Sequence, residues 1–349
     1  MLPLLFASTP LYAAKDAVIL MYHNVAEDTP PSTSVTPQSF RQHMQFLADN
    51  NFNVWPLMKT LTILENGGVL PPKTVVITFD DAYQSVYSEA FPVLKSYGWP
   101  FTVFVTTNYI SGGYASFMNW QQLREIENSG AEIGNHSASH SHFIRKRRDE
   151  SNALWRARVT AEINEAQAVL RAHLERPVMA HAYPYGEHNS ELRELVANLG
   201  FFGLGQNSGA VSHASDFRAL SRFPMATGYD LLDDFALKIS TRALPVTVLA
   251  PDDGMLSLQS TIPELKLRLN NGNYKKSSIN CFASGQQGHI KVDWSDQNTN
   301  EIIVRANDVL NPGRTKYTCT APSKTETGVF YWFSFLWMKP ALDGSWYRE

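Results

Sequence analysis

From Lys15 to about Ala243 the chain alternates short apolar runs with helix-length patterns, and nothing else in the sequence restricts the fold as strongly. The runs fall at 17–21, 52–55, 74–79, 101–105, 132–134, 178–183 and 201–204. Helix-like stretches lie between them at 37–50, 85–97, 120–129, 153–174 and 190–199. Repetition of this length predicts an α/β chain with a parallel sheet, and seven or eight units predict closure into a barrel. Gly98, Gly130 and Gly200 stand just beyond three of the helices, where a left-handed cap is common.

After Pro245 the period changes. Alternating runs at 265–269, 278–283, 289–293, 302–306 and 330–338 are separated by turns such as Asn270-Asn271-Gly272. This predicts a C-terminal antiparallel β-sandwich over 246–349, appended to a catalytic-sized unit over 15–245. The turn-rich stretch 250–254 is the expected junction.

Residues 1–14 form a signal-like segment. The apolar stretch 2–14 is shorter than the roughly 20 residues of a membrane span. It ends in small residues before a plausible cut after Ala13, although a basic start is missing. A buried first strand is the other reading. Export predicts a secreted or periplasmic chain. Cys281 and Cys319, the two cysteines present, could then form one disulfide or stand as separate thiols. A net charge of −3 argues against nucleic acid as a partner.

The chemistry-bearing residues fall at predicted strand ends, the rim where barrels assemble their sites. Thr78-Phe79-Asp80-Asp81 closes the run 74–79, and two adjacent acids point in different directions. One can ligate a metal while the other faces substrate; a turn or helix cap is the plainer use. Gly134-Asn135-His136-Ser137-Ala138-Ser139-His140 follows another run. Two imidazoles four apart, read as one side of a helical turn, can converge on one ion. With one carboxylate they leave an open coordination position, as a catalytic metal needs. His142 could approach the same ion or lie at the surface. His181-Ala182-Tyr183-Pro184-Tyr185-Gly186 supplies a turn with exposed backbone N–H groups, as an oxyanion hole requires.

Thr-Phe-Asp-Asp, His-Ser-x-x-His and Tyr-Pro-Tyr-Gly in this order resemble the polysaccharide deacetylases of carbohydrate esterase family 4, the nodulation-protein homology domain. Met21-Tyr22-His23-Asn24-Val25 is similar to the subgroup acting on poly-β-1,6-N-acetylglucosamine. The resemblance covers roughly 17–240. It implies a distorted (β/α) barrel and hydrolysis of N-acetyl groups from an N-acetylglucosamine polysaccharide: biofilm polyglucosamine, chitin oligomer or peptidoglycan. It also implies Asp80 as base, Asp81, His136 and His140 as ligands of Zn2+ (or another divalent transition metal), zinc-bound water as nucleophile, and the Tyr185 N–H as oxyanion donor.

Two departures stand out. The family's late Leu-x-x-His motif is missing, so His23 is the candidate general acid, with His213 a weaker one; His23 could instead be a core residue orienting a ligand. Ala182 stands where many members carry an arginine that pairs with the base. Arg222 could supply that charge, or form a surface salt bridge. Tyr109, Tyr114, Phe117 and Trp120 could stack on sugar rings or fill local core, as could Trp332, Trp337 and Trp346 in the sandwich. A non-catalytic glycan-binding barrel and an amidase for small cyclic amides are the competing functions.

Overall fold

The computed structural model describes residues 14–295 and 299–347. All but Ala14 of the signal-like segment 1–14 therefore lies outside the described residues.

Six parallel strands form the body of the first unit: β1 (Asp16–Tyr22), β2 (Thr74–Phe79), β3 (Thr102–Val105), β4 (Glu132–Asn135), β5 (Ala180–Ala182) and β6 (Phe202–Leu204). They pair in that order from β1 to β6. Every residue of β2 and β3 is buried, which is the near-continuous apolar pattern of a sheet covered on both faces. Residues 220–224 bring the curl round on itself. Leu220 bridges Leu204 of β6, and Phe223–Pro224 pair with Leu20 and Met21 of β1.

Helices pack outside with the predicted alternation. Pro37–Asp49, Trp120–Asn128, Asn152–His173 and Ser190–Asn198 each start on a side-chain cap, from Thr36, Asn119, Ser151 and Asn189 respectively. The 85–97 stretch is a π-helical turn, Val86–Ala90, leading into Phe91–Tyr97. Leu57–Glu65 and Leu232–Ile239 are helices that the pattern reading passed over.

The C-terminal part is two four-stranded sheets around their own apolar core. In one, Asn280–Ala283, Gly313–Pro322 and Phe330–Lys339 run antiparallel, and Arg242–Ala243 pairs parallel to the last of them. The other holds Val246–Ala250, Glu264–Leu269, Glu301–Arg305 and Lys291–Trp294. Cys281 and Cys319 face each other across paired strands and are joined by a disulfide.

The expected junction at 250–254 is corrected. Arg242–Ala243 already pairs with a sandwich strand, so the crossing comes earlier. The 250–254 turn instead docks onto the barrel, where the Asp253 carboxylate accepts from the Ser190 N–H and hydroxyl.

Candidate active site

Asp80 and Asp81 leave the end of β2. Asp80 is fully buried, and Arg222 donates to both of its oxygens at 2.7 and 2.8 Å. The same guanidinium donates to the Gly205 carbonyl through Nε at 2.8 Å and to Thr78 Oγ1 at 3.2 Å. Arg222 is thus a fully buried partner of Asp80 and not a surface residue. Burial opposes a charge on Asp80, but Arg222 and then His136 outweigh it and hold the carboxyl below its ordinary range.

Asp81 turns the other way because its backbone is left-handed, φ 70°, followed by Ala82 at φ 60°. Such conformations cost of order 1–3 kcal/mol each and persist where surroundings fix them. Here Met118 N–H donates to the Ala82 carbonyl and Gln84 N–H to that of Ser116.

His136 and His140 do not sit on a helical turn. They flank a tight loop with Ser137 (φ 68°) and His140 (φ 55°) both left-handed. Asn135 Oδ1 accepts from Ser137 N–H, and Ser137 Oγ accepts from His140 N–H. Asn135 is itself anchored through Nδ2 to the Ile163 carbonyl and Gln167 Oε1. The sequence spacing therefore converges through side-chain bridging of the loop.

The three ligand atoms lie within 4.8 Å of one another. Asp81 Oδ1 is 3.4 Å from His136 Nε2 and 3.3 Å from His140 Nε2, and the two Nε2 atoms are 3.2 Å apart. His136 Nδ1 must donate to the Ala182 carbonyl, at 2.8 Å, which leaves the Nε2 lone pair facing inward on the neutral ring. Asp81 Oδ1 is buried without a hydrogen-bond partner, a costly state that a cation among the three atoms relieves. One carboxylate and two imidazoles are a donor set for a borderline-soft divalent ion, with coordination positions left over. The residues fit a metal. Burial resists a charge on His136, yet Asp81 and Asp80 raise its pKa; burial, then His136, pushes His140 down to about 4.

His23 follows β1 and lines the same cavity; its Nε2 is 3.9 Å from Asp80 Oδ2, too long for a hydrogen bond. His213 is exposed and absent from that lining. Tyr185 sits in the Pro184–Gly186 turn with φ 58°, its ring stacked on His142 at 3.7 Å and edge-on to His140 at 4.5 Å. Gly186 is required beside it: at φ +69°, a Cβ there would meet Gln206 Cβ at 2.5 Å. His142 donates through Nδ1 to Glu187 Oε2, 2.8 Å away, and so serves the Tyr185 turn.

A cavity of about 1150 Å³ opens over these residues. Tyr109 reaches it; Trp120 stacks on His173 at 4.2 Å elsewhere, and Tyr114 is exposed. Trp332 lines it, Trp337 is buried in the sandwich core, and Trp346 lies against Arg145. What sequence reasoning missed is the opposite wall, contributed by the Gly313–Pro322 strand. Arg314 donates from that strand to the Tyr185 carbonyl at 2.6 Å. The alternation Arg314, Lys316, Thr318, Thr320 was the available signal.

Residues 67–203 match the protein-family model described as polysaccharide deacetylase. A poly-β-1,6-N-acetyl-D-glucosamine N-deacetylase of Staphylococcus epidermidis is 29% identical over 229 residues, covering 59% of this chain and 77% of that protein. Another enzyme of that name, from Escherichia coli (strain K12), is 24% identical over 64% of this chain. The match spans only 38% of the E. coli protein's length. Among solved structures, the deacetylase PplD of Streptococcus pyogenes, in complex with acetate, superposes with TM-score 0.58 at 24% identity. It covers 64% of this chain and 98% of its own, which supports the fold.

Proposed function

We propose that the chain is a metal-dependent N-deacetylase of an N-acetylglucosamine polysaccharide. The observation that carries this reading is the convergence of Asp81, His136 and His140 beside a second carboxylate, Asp80, that Arg222 keeps ionised. Zinc suits the donor set, and when bound it supplies Lewis acidity for the acetamide carbonyl and for a nearby water. Asp80 takes the proton from the attacking water. The Tyr185 N–H donates to the oxygen that gains charge as the carbonyl becomes tetrahedral. His23, on the same rim, protonates the departing amine. An exported site of action, secreted or periplasmic, agrees with the Cys281–Cys319 disulfide, and among the described residues no helix is long and apolar enough to cross a membrane.

Acetate release from N-acetylglucosamine oligomers tests the reading. Release should need a divalent metal, stop with chelator and return with zinc. Asp80→Asn should abolish turnover while keeping the metal. Silence toward biofilm polyglucosamine, chitin oligomers and peptidoglycan alike, with metal loaded, sinks it.

A further inference from the structure

The Gly313–Pro322 strand alternates strictly. Thr315, Tyr317, Cys319 and Ala321 are buried on the sandwich side, whereas Arg314, Lys316, Thr318 and Thr320 turn to the opposite face and line the cavity over the metal ligands. Two cations therefore stand two residues apart on a wall that also carries Phe282 and Trp332. Lys316 has no ion-pair partner among the described residues, and burial, then Arg314, pushes its pKa down to about 8. Lys238, the other lysine of the lining, is compensated by Asp234 and Asp230 and donates to the Tyr229 carbonyl. Asp81, a metal ligand, is the sole carboxylate among the described lining residues.

A half-buried ammonium with no ion-pair partner among the described residues is stabilised by negative charge that enters the cleft. A neutral N-acetylglucosamine polymer brings none, and each acetyl group removed adds a cationic amine. A carboxylate or phosphate on the sugar would meet the Lys316 ammonium, with the positive charge of Arg314 beside it. The face also carries two hydroxyl groups two residues apart on one strand, Thr318 and Thr320, with Trp332 beside them.

We propose that the Gly313–Pro322 face of the sandwich is the glycan-binding wall of the cleft, and that Lys316 beside Arg314 selects N-acetylated glycans bearing anionic substituents. This rests on the deacetylase reading for its chemistry but not for its binding.

The test uses the full metal-loaded chain and a β-1,4-linked N-acetylglucosamine pentamer in three forms: neutral, C6-carboxylated and C6-phosphorylated. At least one anionic form should show a KM about tenfold below the neutral one, with a benefit that fades as salt rises; comparing the two anionic forms tells carboxylate from phosphate. Lys316→Gln should raise KM for the anionic form about tenfold and that for the neutral form by much less, with metal content and melting temperature unaffected. Equal KM for all three pentamers, or equal effects of Lys316→Gln on all three, overturns the proposal. If no pentamer releases acetate, calorimetric binding of the same ligands decides the wall separately. Tighter binding of an anionic form that Lys316→Gln abolishes supports it; equal binding overturns it.

Discussion

Arg222 illustrates how much one buried side chain can carry. Its guanidinium makes four hydrogen bonds, to both Asp80 oxygens, Gly205 and Thr78, so it neutralises that carboxylate and fixes its direction at once. Because the folded Asp80 pKa is depressed, the pair stabilises the protein above the ordinary carboxylate pKa of about 3.9. That contribution is lost as pH falls through the lower folded value. Arg222→Met should strand a buried charge and cost roughly 3–5 kcal/mol, read by urea unfolding at neutral pH. In whatever activity survives, the acid limb of kcat/KM should move upward by about one pH unit or more, since the carboxyl loses its cation. His23→Ala should lower kcat by about 10²-fold if His23 protonates the amine; near-normal turnover would assign that proton elsewhere.

The strand–helix elements were legible wherever apolar periodicity and caps agreed. The run at 74–79 is β2 in full, and Trp120–Asn128 starts on a reciprocal capping box between Asn119 and Gln122. The carboxylate and histidine motifs were legible as strand-end chemistry, while the loop geometry that converges them was not, because nothing in the sequence marks which Asp, Ser or His will adopt the uncommon left-handed backbone seen at Asp81, Ser137 and His140. Leu57–Glu65 escaped notice among β-branched and apolar residues that read equally as strand. Gly313–Pro322 escaped because its buried side holds Thr, Tyr, Cys and Ala and its outer side holds charges, so the alternation lacks bulky aliphatics. That same strand holds Cys319, whose bond to Cys281 spans 38 residues. Replacing both cysteines by serine should cost roughly 4 kcal/mol on the loop-closure estimate, measured by denaturant unfolding, and should raise KM more than it lowers kcat if the strand forms the cleft wall.

At the scale of the whole molecule, barrel and sandwich share one cleft and a bonded interface. Asn207 Nδ2 donates to the Ser334 carbonyl at 3.2 Å, Arg314 to Tyr185, and Ser190 to Asp253; Trp332 lies edge-on to Phe223 at 5.4 Å. Calorimetry should record a single unfolding transition, and a chain ending near residue 243 should be insoluble or strongly destabilised. Two separable transitions would show that the sandwich is an independent passenger.

The segment 220–224 completes the curl of the sheet, and Arg222 within it grips the carboxylate that we propose as base. Shutting the cylinder and arming the base are consequently one event. Acidification that protonates Asp80 should slacken this seam before the remaining strands, so amide protons of residues 220–225 should exchange first as pH drops. Loss of activity in acid would then precede loss of fold, with the closing stave of the barrel acting as its own fuse.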